Sequence, residues 1–324
     1  MWFTFNVAHL TLSLMSLVSR LLDPAMVERL NLLQLSARSV VEGSTVGLHR
    51  ASLRGSSIEF RQHRAYVPGD EPRRLDWRVL ARTDRPFIKQ YDEETNLRCV
   101  LLLDCSGSMV YAGERSGGVS KFEYAARLVT SLAYLMLGQT ESVGLGLTGR
   151  GGAGGARRSG ALELWIPPES GPTQLSRVID ALERAMPRDS SAIGPAMHDV
   201  AERVDRRALL VVVSDFFLPV SAIRAGLAHL RHDRHEVLCL RVLDPDESDF
   251  PFRNWSRFRG LEGERPQLLE PAIMRRTYVD NFNRHRRQLD DACRSLSAQR
   301  YDFPTDRRLI DSLTRMLHQR ASTT

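Results

Sequence analysis

Val100-Leu101-Leu102-Leu103-Asp104-Cys105-Ser106-Gly107-Ser108-Met109 is the stretch that decides the fold. A short apolar run that stops abruptly on acid and hydroxyls reads as a buried strand followed by a turn. The turn is Asp-x-Ser-x-Ser, so Asp104, Ser106 and Ser108 bring three hard oxygen donors to one strand end. Open α/β sheets place their ligands at such ends, and Mg²⁺ takes oxygen donors in octahedral array while keeping some of its waters. Metal-assisted binding is the function this stretch suggests. Its plainer rival is a turn in which Asp and Ser only cap backbone groups.

Working outward, a second strand favours the metal. Residues 207–214 form the most apolar run of the chain and also end on an aspartate, Asp215. If the two strands are parallel neighbours, Asp104 and Asp215 meet at one edge, where two carboxylates repel unless a cation or an arginine intervenes. A third loop, Ser190-Ser191-Ala192-Ile193-Gly194, precedes an amphipathic helix and can supply a further oxygen or simply the helix cap.

From Arg98 onward, strands and helices alternate, which argues for a doubly wound, mostly parallel α/β sheet. Strands are expected at 98–104, 142–148, 161–166, 207–214, 235–243 and 300–304. Helices are expected at 120–137, 172–186, 192–204, 219–231, 271–298 and 306–319. The link between 142–148 and 161–166 is too short for a crossover helix, so this pair should be an antiparallel hairpin. Residues 250–270 read as loop or a small hairpin. Upstream, 24–48 is helical, 54–67 and 86–92 are strands, and 73–82 is a short helix. The chain thus divides into an extension, 1–23, a helix-plus-β appendage, 24–96, and an α/β domain, 97–320.

At 324 residues and 42% hydrophobic the chain can bury a full-sized core. The net charge of +6 is spread along the sequence rather than blocked, so a solvated surface is the expectation and nucleic-acid affinity is the rival. Lys89 and Lys121 are the only lysines; every other base is arginine. No two of Cys99, Cys105, Cys239 and Cys293 have metal or redox spacing, and buried free thiols in a reducing cytosol fit them. Residues 1–19 carry no formal charge but are only weakly apolar and lack a basic leader region, so membrane contact is not expected.

Other motifs fail their context tests. Gly149-x-Gly151-x-x-Gly154 is followed by a strand rather than the helix a dinucleotide loop requires, which makes it a hairpin tip. His229, His232 and His235 straddle a helix end and would not share a face for zinc.

The site residues, Asp104-x-Ser106-x-Ser108, the hydroxyl loop and Asp215, resemble a metal-ion-dependent adhesion site of the von Willebrand factor A fold. The segment before them is more specific. Arg54-Gly55, Glu59-Phe60, Arg64-x-Tyr66-x-Pro68-Gly69-Asp70, Arg73, Leu75-Asp76-Trp77, Ala81-Arg82, Lys89, Glu94 and the later Leu243-Asp244-Pro245-x-Glu247 resemble the domain-of-unknown-function 58 family (DUF 58). The likeness runs from about residue 24 to the C-terminus. It implies a von Willebrand A-like domain in which Ser106 and Ser108 bind Mg²⁺ (or Mn²⁺) directly and Asp104 and Asp215 act through water. The loop hydroxyl, usually Thr, falls on Ser191, with Ser190 as the fallback. It also implies a partner, a MoxR-type AAA+ ATPase served as adaptor or co-chaperone.

The expectation is therefore a bacterial, cytoplasmic, non-enzymatic interaction module whose metal accepts an acidic side chain of a partner protein. Arg73, Asp76, Trp77 and Arg82 are an internal ion-pair network or, alternatively, a docking surface. Two rivals stay open. One is a Mg²⁺-dependent hydrolase or phosphatase, against which no Lys, His or third acid is placed by the motif. The other is a basic nucleic-acid-binding protein.

Overall fold

The computed structural model describes residues 21–43, 57–66, 76–83, 85–94, 97–149, 160–263 and 267–323. The chain divides into two units, one of residues 1–50 and 97–324 and a second of 51–96.

The larger unit is built on a six-stranded sheet. Its strands are β3 (Arg98–Leu103), β4 (Ser142–Thr148), β5 (Leu162–Glu169), β6 (Leu209–Ser214), β7 (Glu236–Leu243) and β10 (Gln299–Pro304). The order is β10-β7-β6-β3-β4-β5, parallel throughout except for the β4–β5 pair. From β3 the chain builds outward to β4 and β5, then returns to lay β6 on the other side of β3. The β3–β6 boundary is thus the point where strand order reverses, the place open α/β sheets use for ligands. Register there runs from Cys99 against Leu209 to Leu103 against Val213, so the two strands end side by side.

Near-continuous apolar runs in β3 and β6 follow from burial on both faces. On one face Val100, Leu102, Leu210 and Val212 pack beneath α5 (Ile193–Arg203), α6 (Val220–His232) and α8 (Pro271–Ser295), through residues such as Met197, Leu227 and Leu289. Helices α5 and α6 approach closely because Gly226 has no side chain; a Cβ there would stand 2.7 Å from Met197 Cε. Elsewhere α3 (Lys121–Leu137) packs against α4 (Pro172–Arg184), α9 (Leu309–Thr323) and α1 (Pro24–Gly43). Helix α1 belongs with this unit: Leu30 is fully buried and Tyr134 Oη donates to Asn31 Oδ1 at 2.7 Å. The sequence groups it with the segment ending at 96, because helical periodicity alone gives no partner for its apolar face. A separate small hairpin, β8 (Ser256–Phe258) with β9 (Gln267–Leu269), follows the short α7 (Pro245–Asp249).

The smaller unit is the antiparallel pair β1 (Ser57–Ala65) and β2 (Phe87–Glu94) with the short helix α2 (Trp77–Thr83). Asp76 is buried and caps α2, its Oδ1 accepting from Val79 N at 3.3 Å. Trp77 is 64% exposed, and Arg82 is exposed. Arg73, the segment 1–19 and most of the glycine-rich loop lie outside the described residues. Among the described residues no helix is long and apolar enough to cross a membrane.

Candidate functional site

Asp104 stands at the end of β3 with no solvent exposure. Four groups from four segments donate to it. Oδ1 accepts from the Ser106 backbone N–H at 3.1 Å and from Thr148 Oγ1 at 3.2 Å. Oδ2 accepts from Ser191 Oγ and from Ser214 Oγ, each at 2.7 Å. Burial raises the carboxyl above its ordinary range and the nearby Asp215 carboxylate raises it further, while the hydrogen bonds from Ser214, Ser191 and the Ser106 amide pull the other way. The donors are all neutral. They orient the carboxylate but do not compensate its charge.

The loop is tied down by backbone. Gly107 N–H donates to Asp189 O at 2.8 Å and Arg188 N–H to Cys105 O at 2.9 Å, which brings the 188–191 segment alongside the turn after β3. Asp189 and Phe216 both take left-handed backbone, with φ of 60° and 56°. Such conformations are costly for residues with a side chain and cluster at functional sites. The Ser191 hydroxyl also accepts from Ile193 N–H at 3.4 Å, so the capping reading and the site reading describe one residue. Ser190 is exposed.

Ser106 Oγ and Ser108 Oγ lie 3.0 Å apart. Two adjacent ligands of an octahedral Mg²⁺, each at about 2.1 Å, are separated by about 3.0 Å. Burial raises the Glu262 carboxyl above its ordinary value, and Asp215 and Asp104 raise it further, while Ser108 and the Ser191 backbone pull it down. Either hydroxyl can be the donor of the Ser106–Ser108 bond.

Asp215 closes the other side and is almost fully buried. Its Oδ1 accepts from Phe217 N–H at 3.1 Å, and its Oδ2 is 2.7 Å from Lys121 Nζ. Lys121, itself without solvent exposure, also reaches Glu247 Oε1 at 2.5 Å and lies over the Phe217 ring at 5.0 Å. Burial opposes a charge on this lysine, but Asp215 and Glu247 outweigh it and hold the ammonium above its ordinary value. Burial pushes Glu247 up to about 7 in spite of Lys121.

Asp104 and Glu262 thus lie near Asp215, and the Lys121 ammonium is committed to Asp215 and Glu247. An uncompensated buried carboxylate beside hydroxyls at octahedral spacing fits a divalent cation. Ser106, Ser108 and Ser191 could hold it, with Asp104 behind them. Among the described residues no group of three His, Cys, Asp or Glu side chains has metal-holding geometry.

The structure brings Asp104, Ser106, Ser108, Ser191 and Asp215 to one edge, with Asp215 ion-paired rather than free. Sequence reading missed Thr148, Ser214, Lys121, Glu247 and Glu262. Two signals were available: Lys121 is a rare lysine in an arginine-rich chain, and Glu247 ends the Asp244-Pro245-x-Glu247 motif. The strand-end motif itself places no lysine or third acid; these groups arrive from the start of α3, from α7 and from the loop after β8. The three histidines go elsewhere. His229 Nδ1 meets His198 Nδ1 at 2.8 Å, His232 meets Asp233 at 3.0 Å, and buried His235 accepts from Ala208 N–H at 3.2 Å.

Fold and site define an α/β protein with a carboxylate–hydroxyl cluster at the switch point of a mostly parallel sheet. The chain belongs to the family described as protein of unknown function DUF58, which matches residues 62–288. It is 26% identical over 307 residues to uncharacterized proteins of Mycobacterium bovis and Mycobacterium tuberculosis, covering 92% of this chain and 90% of each relative. Among solved structures it is similar to an aerotolerance-related membrane protein from Bacteroides fragilis, with 17% identity, a TM-score of 0.46, and coverage of 70% of this chain and 100% of that one. It is also similar to the conserved hypothetical protein BatB from Bacteroides thetaiotaomicron, with 16% identity, a TM-score of 0.41, and coverage of 70% and 99%.

Proposed function

We propose that this chain is a non-enzymatic, metal-dependent protein-interaction module with a von Willebrand A-like site, acting in the cytoplasm as adaptor or co-chaperone of a MoxR-type AAA+ ATPase. Ser106, Ser108 and Ser191 hold Mg²⁺ (or Mn²⁺) by their hydroxyls, and Asp104 and Asp215 face it from behind. When bound, the ion supplies positive charge that hydroxyl ligands leave largely uncancelled, and an acidic side chain of the partner protein answers it. The observation that carries this reading is the environment of Asp104: fully buried, hydrogen-bonded to Ser106, Thr148, Ser191 and Ser214, and with no ion pair to a cation among the described residues. The ATPase partnership rests on the resemblance to the family.

The test is titration calorimetry with Mg²⁺ and Mn²⁺ on wild type and Ser106→Ala, followed by capture of the purified ATPase with and without chelator. Heat on metal addition that Ser106→Ala abolishes, with capture lost in chelator, is the expected result. A flat titration of folded wild type overturns it. A hydrolase is the weaker alternative, since Lys121 is clamped between two carboxylates without solvent exposure and cannot offer a proton to a substrate. Metal-stimulated phosphatase activity lost in Asp104→Ala would favour that alternative instead. Nucleic-acid binding would show as steep salt-dependent affinity for generic DNA.

A further inference from the structure

We propose that the pocket beside the edge strand β10 is a binding site for a small, multiply charged phosphate compound, held by Arg286, Arg307 and Arg315. None of the residues assigned above to the metal lines this pocket, so the inference stands apart from the metal reading.

The pocket has a volume of about 550 Å³, within the range of sites that take small molecules and cofactors. It is walled by β10, by Phe282 and Arg286 of α8, and by Arg315 and Met316 of α9. Arg307 enters from the turn that joins β10 to α9.

Charge decides what such a pocket takes. Six arginines and four aspartates line it, and most of them are already spent within the fold. Arg241 makes a two-pronged pair with Asp302, Nε to Oδ1 at 2.8 Å and Nη2 to Oδ2 at 2.9 Å. Arg300 is paired with Asp302 and with Asp290. Arg115 holds Asp246 at 3.1 Å and Asp249 at 2.8 Å. The Asp244 carboxylate is taken up by the Gly113 and Asp246 amides and the Thr305 hydroxyl. What remains is Arg286, Arg307 and Arg315, all exposed and none with a side-chain hydrogen bond or ion pair among the described residues. Only Asp306 is left to set against them.

Three guanidinium groups from three segments thus share one concavity with too little negative charge. Like charges repel, and a concave wall focuses their field toward an incoming anion. An anion with several charges relieves the repulsion, and phosphate oxygens match the planar fork of a guanidinium. Phe282 and Met316 leave apolar wall for an organic body. Asp249 and Asp302 stay 57% and 38% exposed. A long polyanion laid across the pocket would meet these acids, and a compact one avoids them.

The experiment is titration calorimetry of the full chain in metal-free buffer with inorganic tripolyphosphate as probe. It is repeated with a sugar bisphosphate, with hexaglutamate and with a short single-stranded DNA. Wild type is compared with Arg307→Gln/Arg315→Gln and with Arg206→Gln/Arg224→Gln, which removes the same charge from exposed positions outside the pocket. Arg286→Gln, on a different helix, is a further variant with the same expectation as the first. Circular dichroism establishes that each is folded. The expected result is one site for a phosphate compound in wild type. Its affinity should fall on the order of tenfold or more in the pocket variants, because charge-assisted hydrogen bonds are lost, and stay nearly unchanged in Arg206→Gln/Arg224→Gln. Tighter binding of tripolyphosphate would point to free polyphosphate and tighter binding of the bisphosphate to a phosphoester; either upholds the proposal. Absence of phosphate binding by folded wild type overturns it. Equal weakening in the pocket and control variants also overturns it, since net charge would then be the cause. So does tighter binding of hexaglutamate or DNA than of either phosphate compound, which would make this face a surface for a macromolecule.

Discussion

Lys121 and Asp215 form an ion pair at 2.7 Å with neither side chain exposed to solvent. Joining the start of α3 to the end of β6, it ties the crossover helix to the strand end that carries the site. Breaking a buried pair by removing one partner leaves the other charge uncompensated. Here Lys121→Met strands two carboxylates, Asp215 and Glu247. The expected cost is about 3–5 kcal/mol of stability, read by urea unfolding. A loss near zero would mean that the two acids find other compensation.

Asp104 leads to the opposite expectation. Its carboxylate is buried among neutral donors, so the metal-free fold carries the cost of an uncompensated charge. Asp104→Asn keeps an oxygen for the Ser106 amide and Thr148, and the Ser191 and Ser214 hydroxyls can rotate to accept from the new amide. The metal-free variant should be as stable as wild type or more so, by up to about 2 kcal/mol. Mg²⁺ at a hundredfold excess over its Kd should add about 2.7 kcal/mol to wild type and nothing to the variant. Paired thermal melts with and without Mg²⁺ check both halves. A variant that still gains stability from Mg²⁺ would move the ion away from Asp104.

Glu141 sets a pH dependence remote from the site. It is 4% exposed, and burial pushes its carboxyl up to about 7, opposed by a hydrogen bond from the Leu97 backbone. A raised carboxyl binds its proton more tightly in the native state than in the unfolded chain. Its contribution is therefore most favourable below the unfolded value of 4.5 and is lost as pH rises toward about 7. Glu141→Gln keeps an acceptor for Leu97 and should stabilise the protein at pH 8 by about 1–3 kcal/mol, with the gain vanishing by pH 4. Equal gains at both pH values would show that the charge is not the cause.

What the sequence made legible was what recurs locally. The apolar runs of β3 and β6 mark doubly buried strands, and the short link before Leu162 marks the β4–β5 pair as antiparallel. The strand-end motif carried Asp104, Ser106 and Ser108 together because they are neighbours in the chain. Lys121, Glu247 and Glu262 reach the same crevice from three separate elements, and their positions depend on packing rather than spacing. Thr148 and Ser214 were hidden for another reason. Each ends a strand, where a hydroxyl usually serves the local backbone, and only the sheet order shows that both flank Asp104. The motif Leu243-Asp244-Pro245-x-Glu247 was visible as a pattern but not as a device.

That device supports a last expectation. Asp244 has no solvent exposure and caps α7, Oδ1 accepting from Asp246 N–H at 2.9 Å, while Glu247 Oε2 reaches back to the Asp244 N–H at 3.2 Å. Asp244 Oδ2 accepts from Gly113 N–H at 2.9 Å and from Thr305 Oγ1 at 3.1 Å. Asp246 adds bonds to Glu114 N–H at 3.2 Å and Arg115 Nε at 3.1 Å. The segment between Ser108 and Lys121 is thereby pinned to α7 by carboxylates rather than by apolar burial. Asp244→Ala removes the helix cap and leaves the Gly113 amide buried without its acceptor, a combined cost of about 2–4 kcal/mol. Because the loss is local, amide exchange in residues 111–120 should accelerate well before the sheet exchanges. Hydrogen-exchange mass spectrometry checks this: uniform acceleration across β3, β6 and the loop would mean that Asp244 stabilises the whole fold rather than holding this connection in place.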